Sequence, residues 1–215
     1  MTYLELVNNV LRRLREPTVS SISDTPYAAM LGVFVNDAKR EVEDSADWNA
    51  LSSTVTVTTV ADTYNYTITG SGTRFRVIDV LNDTSNVVVR QAPATWLNQH
   101  FILGTTTPNT PIYYGFNGVD TSNDTQVDLF PIPNGAYTLR FNLIIPQVDL
   151  VNDTDRIQVS PHLVAMLAYA KAIAERGEDG GNLSSEAYNL YKSALSNEVA
   201  IERNRYGDEL IWTNP

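Results

Sequence analysis

The segment from Ser160 to Arg176 constrains the fold of this chain more than any other. Ser160 is a good N-cap residue, Pro161 suits the first helical position, and Gly177 can adopt the left-handed conformation that ends a helix. Between these signals, apolar residues cover most of the circumference of the predicted helix instead of a single stripe. A helix of this kind is normally central, because it needs partners on more than one side. The segment therefore predicts a core helix against which other helices pack.

Two amphipathic helices are predicted near the start of the chain. Residues 2–15 carry apolar residues at helical spacing, and Thr2 with Glu5 forms a capping box. Basic residues lie in the last turn of this helix, where cations complement the helix macrodipole. The alternative interpretation is that they contact phosphate. They are Arg12, Arg13 and Arg15. The second helix opens at Thr25 and ends near Trp48, which we expect to be buried in the core.

A charged face is predicted on the second helix. Its acidic and basic residues alternate in sign, which is typical of a surface in contact with solvent. Paired carboxylates could also serve as a metal or acid–base site, but the alternation of charge favours the solvated interpretation. The residues of this face are Asp37, Lys39, Arg40, Glu41, Glu43, Asp44 and Asp47.

The middle of the chain has the pattern of β-strands. Residues 53–60 and 63–68 alternate β-branched or aromatic residues with Thr or Asn, and residues 61–62 between them predict a hairpin turn. Only residues 93–101 favour a helical turn. Six or seven short strands separated by turn signals are typical of an antiparallel sandwich or a small barrel. The further strand-like segments are 75–81, 86–90, 111–116, 126–130 and 137–145.

The last predicted helix completes the architecture. It runs from Ser184 or Ser185 to about Arg205, and its apolar stripe includes Tyr188 and Tyr191. Two helices then lie at each end of the chain, and neither pair alone offers enough apolar surface to form a stable core. Helices from both ends are therefore expected to share one core.

The sequence thus predicts an α+β fold with a discontinuous helical domain. Residues 1–50 and 150–206 are expected to form one four-helix bundle. Residues 51–149 are expected to form an antiparallel β sandwich or barrel-like domain, inserted between the second and third helices. Residues 207–215 remain as a C-terminal docking tail.

Composition limits the classes of function. Hydrophobic residues make up 43% of the 215 residues and charged residues 19%, which is typical of a globular protein. There is no cysteine, so disulfides, thiolate catalysis and the common zinc motifs are excluded. The sequence shows no signal-peptide pattern and no apolar run as long as a membrane span. A formal net charge of −10 argues against adhesive binding to nucleic acid.

The search for catalytic or metal-binding motifs gives no candidate. The histidines, His100 and His162, lie far apart in the sequence and belong to no recognisable motif. No serine lies in a nucleophile-elbow sequence, and no glycine-rich loop precedes a helix. The acidic loop 120–128 resembles a calcium loop only in composition, since it lacks the required Gly and the bidentate Glu. We therefore expect no enzymatic activity, no cofactor and no metal.

The order of elements resembles that of a known structural family. Two helices, the second ending in an acidic turn and Trp48, are followed by a β insertion. Then come LFPIPNGAYTLRFNLIIP (129–146) and the alanine-rich VAMLAYAKAIAERGED (164–179). Together with LVNNVLRRLRE (6–16), this order is similar to that of the head-to-tail adaptors of tailed bacteriophages. That group is often called tail tubular protein A or gatekeeper-type connectors.

The resemblance implies a non-enzymatic ring in the virion, usually of about twelve subunits and assembled in the host cytoplasm. Such a ring docks on the portal protein and carries the next tail component, a nozzle or tail-tube protein. Double-stranded DNA passes through its channel without specific binding, and no membrane is involved. The helical part faces the portal and the channel, whereas the β part projects outward or towards the tail and holds the next ring or side fibres. An acidic channel would let DNA slide, although acidity can also serve solubility alone.

Two sets of residues are candidates for binding these partners. Large apolar side chains in a terminal segment usually mark a docking site, so the tail is expected to bind the portal or a neighbouring subunit, with Trp212 as the anchor. The alternative is that the tail folds back on its own bundle. The tail residues are Tyr206, Leu210, Ile211 and Trp212, and the candidates on the tail side of the ring are Thr106, Asn109, Asp120 and Asp124.

A different class of function also fits the β region. A tail-fibre or receptor-binding module could stack the exposed rings of Trp96, Tyr113 and Tyr114 on a saccharide. The helical segments at both chain ends argue against this interpretation, because such a module has no need of them.

Overall fold

A computed structural model describes residues 1–104, 106–177 and 180–205 of the chain. The chain divides into two compact units, which are named here the helical unit (Met1–Leu51 with Pro146–Pro215) and the β unit (Ser52–Ile145). The described residues form the helices α1 (Tyr3–Arg13), α2 (Pro26–Ser45), α3 (Ala94–Leu103), α4 (Pro161–Arg176) and α5 (Asn182–Asn204). They also form the strands β1 (Ser52–Thr58), β2 (Asn65–Thr67), β3 (Arg76–Asn82), β4 (Val87–Val88), β5 (Arg90–Gln91), β6 (Tyr113–Val119), β7 (Thr125–Phe130) and β8 (Thr138–Ile144). The predicted α+β class is confirmed.

The ends of α1 and α4 follow the predicted capping signals. At α1, the Thr2 backbone N–H donates to Glu5 Oε2 (2.9 Å), and the Glu5 N–H donates to Thr2 Oγ1 (3.2 Å), which confirms the capping box. At α4, Ser160 Oγ accepts from the N–H of Leu163 (3.5 Å). Gly177 follows α4 with a φ of 63°, the left-handed conformation that ends a helix.

Helix α4 contacts α1, α2 and α5, while α1 also contacts α2. Its interior side chains Leu163, Val164 and Ala168 have no exposed surface, as the apolar circumference predicted. At its end, the Arg176 guanidinium donates to Glu16 Oε1 and to the Tyr27 hydroxyl, both at 2.7 Å. Helices from both ends of the sequence therefore contribute to the core of the helical unit.

The predicted solvated face of α2 is wrong at two positions. The side chains of Lys39 and Glu43 are 1% and 0% exposed. They face the segment by which the chain returns to the helical unit, whose backbone groups need partners when buried. Lys39 Nζ donates to the carbonyls of Gln147 (2.6 Å) and Val148 (3.1 Å) and lies 3.4 Å from Glu43 Oε1.

Asn36 extends this arrangement by one turn of α2. Its Oδ1 accepts from the Leu150 N–H (2.9 Å), and its Nδ2 donates to the Leu150 carbonyl (3.0 Å). Glu43 Oε1 in turn accepts from the Gln147 N–H (3.3 Å). We name Asn36, Lys39 and Glu43 the connector clamp. Burial lowers the pKa of the Lys39 ammonium, and the neighbouring Glu43 carboxylate opposes that shift.

Helix α5 begins earlier than predicted and is only partly buried. It starts at Asn182, where Gly181 (φ 92°) turns the chain into the helix. Ser184 is not the cap, because its hydroxyl donates back to the Gly181 carbonyl (3.0 Å). The buried residues of this 23-residue helix are Ala187, Tyr191 and Glu202. The predicted stripe is therefore incomplete, with Tyr188 40% exposed.

The β unit consists of two four-stranded sheets, in the orders β1-β8-β3-β4 and β2-β7-β6-β5. The predicted hairpin between the first two strands is wrong, since β1 pairs with β8 and β2 pairs with β7. An alternating pattern identifies a strand but not its partner, and both strands pair with later segments of the chain. The second sheet is mixed, because β5 runs parallel to β6.

Both sheets contribute side chains to one apolar cluster. The ring of Phe141, which has no exposed surface, lies 5.9 Å from the ring of Tyr114 in an edge-to-face arrangement. The buried members of the cluster are Val57, Ile68, Val80, Val89, Tyr114, Val127, Leu129, Leu139, Phe141 and Leu143. The core of the β unit therefore lies between its two sheets, as in a sandwich.

Helix α3 is longer than the predicted turn. It packs on β6 through Leu97, whose side chain is buried. This close approach depends on Gly115, because a Cβ atom at that position would overlap Leu97 Cδ1. The packing fixes α3 on the second sheet and therefore determines the position of the exposed end of the helix.

Candidate partner-binding surfaces

The end of α3 forms an exposed apolar tip. Ile102 and Leu103 are 78% and 82% exposed, and they are named here the α3 tip. Two predicted contact residues follow in the next loop, where Thr106 is half-buried and Asn109 is exposed. The Asn109 N–H donates to the Ile132 carbonyl (2.8 Å), so the second half of this loop is fastened to the segment after β7. Adjacent exposed aliphatic side chains at the end of a helix are suited to contact another protein.

The two acidic candidates, Asp120 and Asp124, lie between β6 and β7. Asp120 Oδ1 accepts from the N–H groups of Ser122 (2.8 Å) and Asp124 (2.9 Å). The Asp124 carboxylate accepts from the N–H groups of Gly70 and Gly72, both at 2.9 Å. These hydrogen bonds lower the pKa of the Asp124 carboxyl. Both carboxylates therefore hold loops together.

The two candidate loops do not form one surface. The β6–β7 ladder runs from the pair Val119↔Thr125 to the pair Tyr113↔Phe130. Asp124 directly precedes this ladder, whereas Asn109 bonds to Ile132 beyond its other end. Strand β7 has six residues, so the two loops are separated by about 20 Å. A single small partner segment could not contact both.

The aromatic residues proposed for saccharide stacking are not free rings. Tyr114 is 4% exposed and belongs to the core, so the prediction that it is exposed is wrong. The half-buried Trp96 lies with its ring centroid 3.8 Å from that of His100 and 5.1 Å from that of Tyr113. A further edge-to-face contact, at 5.3 Å, joins Trp96 to Phe130. These rings pack on one another and hold α3 in place.

The helical unit has an open groove beside α5. We name it the α5 groove; it has a volume of about 260 Å³. Its rim includes Leu183 and Leu190, which are 56% and 57% exposed. On the opposite wall, the Arg13 guanidinium lies 6.0 Å from the centroid of the Tyr169 ring. The lining residues are Arg13, Met166, Tyr169, Ile173, Leu183, Glu186, Ala187 and Leu190.

Charge is unevenly distributed between the two units. The β unit contains four Arg and six Asp, for a formal charge of −2, and the remaining eleven basic and nineteen acidic residues give the helical unit −8. The exposed Arg12, Arg13 and Arg15 form a basic patch on the more acidic unit. Within the described ranges, none of the three lies in an ion pair.

The groove and the α3 tip were not identified from the sequence. One signal for the groove was present, because Leu183 and Leu190 are seven residues apart, which is a helical interval. Because the predicted helix begins at Ser184 or Ser185, Leu183 falls outside it and this interval is not recognised. The α3 tip gave a weaker signal, since its two apolar residues follow the predicted turn 93–101, and such a pair is as often buried as exposed.

The remaining predicted site residues, Tyr206, Leu210, Ile211 and Trp212, lie outside the described residues. In the described part of the chain, no group of three or more His, Cys, Asp or Glu side chains is placed to hold a metal ion. No helix there is long and apolar enough to cross a membrane.

Exposed apolar surfaces on a two-unit α+β protein are of the kind that contact other proteins. The sequence model of the SU10 adaptor protein family matches residues 1–212, which is nearly the whole chain. No curated protein matches the sequence. The chain belongs to the SU10 adaptor protein family, consistent with a phage head-to-tail adaptor. It is therefore a structural protein of the phage virion that interacts with other head and tail components.

Proposed function

We propose that this protein assembles into a closed ring of about twelve copies, docks on the portal protein and continues the DNA channel. The ring is the platform for the next tail component, a nozzle or tail-tube protein. The match of the adaptor family to residues 1–212 carries the proposal. Each copy of a closed ring offers two different surfaces to its neighbours.

In this proposal, α1, α2, α4 and α5 act as one four-helix bundle that meets the portal. The contacts of α4 with the other three helices support this assignment. The bundle corresponds to residues 1–50 and 150–206, and residues 51–149 form the inserted β domain. The C-terminal residues 207–215 are a docking tail for the portal or a neighbouring subunit, through Leu210, Ile211 and Trp212.

The helical unit also lines the channel. Its formal charge of −8 supports this role, because an acidic wall repels the phosphate backbone and leaves the DNA free to move. A basic wall would hold the DNA by releasing counterions.

The β unit binds the next tail component. The α3 tip and the loop with Thr106 and Asn109 form the main contact, supported by the exposure of Ile102 and Leu103. The loop with Asp120 and Asp124 forms a second, separate contact.

Native mass spectrometry and electron microscopy of the purified protein, alone and with its portal, test the proposal. We expect closed rings near twelve copies that bind the portal through one face. A chain that stays monomeric with the portal present would contradict the proposal. Trimers that bind saccharides in an array screen would favour the receptor-binding alternative.

A further inference from the structure

We propose that the α5 groove of each copy receives the segment Asp208–Trp212 of a neighbouring copy. The proposal rests on the ring described above and assigns the contact between its subunits. It follows from the shape and charge of the groove, and from the sequence and length of the chain beyond α5.

The groove is an incompletely covered part of the helical core. Its floor, formed by Met166, Tyr169 and Ile173, is half-buried, and its rim residues Leu183 and Leu190 are more than half exposed. Apolar surface of this kind gains stability when another apolar side chain excludes water from it. The groove is therefore suited to a short apolar segment.

The chain itself contains such a segment, in which Asp208 and Glu209 precede Leu210, Ile211 and Trp212. Three consecutive large apolar residues can fill a groove of this size, and Trp is the side chain most often found as an interface anchor. The acidic pair before them gives the segment a negative charge at one end, which can pair with a basic wall of the groove.

The wall of the groove carries the complementary charge. Arg13 lines it, and Arg12 is its exposed neighbour. The chain has 15 Lys and Arg against 25 Asp and Glu, so two adjacent exposed arginines are a distinct local feature. Glu186 lies on the opposite wall and favours an orientation in which Asp208 and Glu209 lie on the arginine side.

In this orientation, the segment cannot come from the same chain. Glu186 lies nineteen residues before Arg205, which is about 28 Å along α5, whereas Glu209 reaches at most about 14 Å beyond Arg205. The Trp212 of the same chain reaches about 24 Å, enough only for the near rim at Leu190. Asp208 and Glu209 of the same chain therefore cannot reach Arg13, whereas those of a neighbouring copy have no such limit.

A contact of this type joins two different surfaces, a tail and a groove. Such heterologous contacts repeat from one copy to the next and close into a ring when the rotation permits. The inferred contact is therefore compatible with the ring.

The absence of cysteine in the natural sequence allows a direct test. A chain with Glu186→Cys is mixed with a chain with Thr213→Cys, assembled and oxidised, and the linked peptides are identified by mass spectrometry. We expect a disulfide between positions 186 and 213 of different chains. The matched control replaces Glu186→Cys by Asn189→Cys, an exposed position on α5 outside the groove, and should give no such disulfide.

The outcomes separate this inference from the proposed function. If rings form but residue 186 links no better than residue 189, the groove assignment is wrong and the ring stands. A disulfide within one chain of a double-cysteine variant, in place of the link between chains, also overturns it. If no ring forms even with the portal, the proposed function fails, and a synthetic peptide of residues 206–215 tests the groove independently.

In that peptide assay, fluorescence anisotropy measures binding of the labelled peptide to the full chain. Arg13→Glu should weaken binding by about tenfold or more, and reversing the charge of Glu209 in the peptide should restore it. A peptide that does not bind overturns the inference. So does an Arg13→Glu variant that loses affinity for a short DNA duplex but keeps its affinity for the peptide, because the arginines would then serve phosphate.

Discussion

The two units of this protein provide hydrogen-bond partners for their irregular backbone with different kinds of side chain. Each contains irregular backbone whose N–H and C=O groups need partners. In the helical unit, the connector clamp supplies them from a buried cation and a buried carboxylate, Lys39 and Glu43. In the β unit, a half-buried carboxylate and a neutral hydroxyl do so: Asp124 accepts from Gly70 and Gly72, and Thr125 Oγ1 donates to the Gly72 carbonyl (2.7 Å).

This difference parallels the distribution of charge. The unit with a formal charge of −8 also buries an ion pair, whereas the unit with −2 has an apolar cluster at its centre. Stability in the helical unit therefore depends on electrostatics as well as packing. The β unit depends mainly on packing between its sheets.

Tryptophan fluorescence can follow each unit separately. Trp48 is 6% exposed in the helical unit, where its Nε1 donates to the Val42 carbonyl (2.6 Å), and Trp96 lies in the β unit. In a background with Trp212→Phe, adding either Trp96→Phe or Trp48→Phe leaves one reporter.

The largest expected effect is that of Phe141→Ala. Removing a fully buried ring leaves a cavity between the sheets and should lower the free energy of unfolding of the β unit by about 4 kcal/mol. The Trp96 transition in urea should shift, while the Trp48 transition stays in place. The reciprocal control is Leu163→Ala, which should move only the Trp48 transition. Equal shifts of both reporters would show that the units unfold together.

Lys39→Met tests the buried ion pair of the helical unit. Without its cation, the buried Glu43 carboxylate loses a compensating charge, and the connector carbonyls lose their donor, so we expect a loss of about 3 kcal/mol. Lys171→Met is the matched control, because its pair with Glu41 (2.6 Å) is partly exposed and should cost less than about 1 kcal/mol. Equal urea midpoints for the two variants would contradict the role of the clamp.

Gly115→Ala tests how α3 is seated in the β unit. The added methyl group would overlap Leu97 Cδ1, so we expect a loss of about 2 kcal/mol and a change in the fluorescence of Trp96. At Gly135, a Cβ atom meets nothing within 4 Å, so Gly135→Ala should leave both properties unchanged. An unaltered Trp96 spectrum in Gly115→Ala would show that α3 can shift without cost.

The smallest expected effect is the pH dependence of Asp124→Asn. The Asp124 pKa is lowered in the folded state, so the unfolded chain binds the proton more readily, and the stabilisation is lost as pH falls below about 3.8. The amide cannot ionise, so the variant should show a shallower loss of β-unit stability on acidification. Asp155→Asn is the counterpart in the helical unit, since its pKa is also lowered by backbone hydrogen bonds. Identical acid profiles of the natural chain and Asp124→Asn would contradict this role.

Features set by local chemistry could be predicted from the sequence. The capping box at Thr2, the cap at Ser160 and the left-handed Gly177 depend only on neighbouring residues, and all were correct. The apolar circumference of α4 also identified a central helix. Strand partners could not be predicted in this way, because β1 pairs with residues that lie 80 to 92 positions later.

The buried charges were missed for a related reason. A pattern of alternating charge indicates a solvent-exposed face only when no backbone groups in need of hydrogen bonds pack against it. The sequence does not show that the backbone of Gln147 and Val148 packs against α2. The predicted start of α5 was wrong because the helix begins after Gly181, which adopts the left-handed conformation. The prediction had required a capping hydrogen bond to the side chain of Ser184. Long-range contact and backbone conformation therefore account for these errors.

The connector clamp has a consequence for how this protein can vary. Lys39 bonds to main-chain carbonyl groups, which are the same in every amino acid, and Val148, one of its partners, has a side chain that is 83% exposed. Lys39 thus fixes the path of the backbone at residue 148 through a contact that does not depend on the side chain there. Position 148 is consequently open to new side chains, whereas position 39 tolerates almost none.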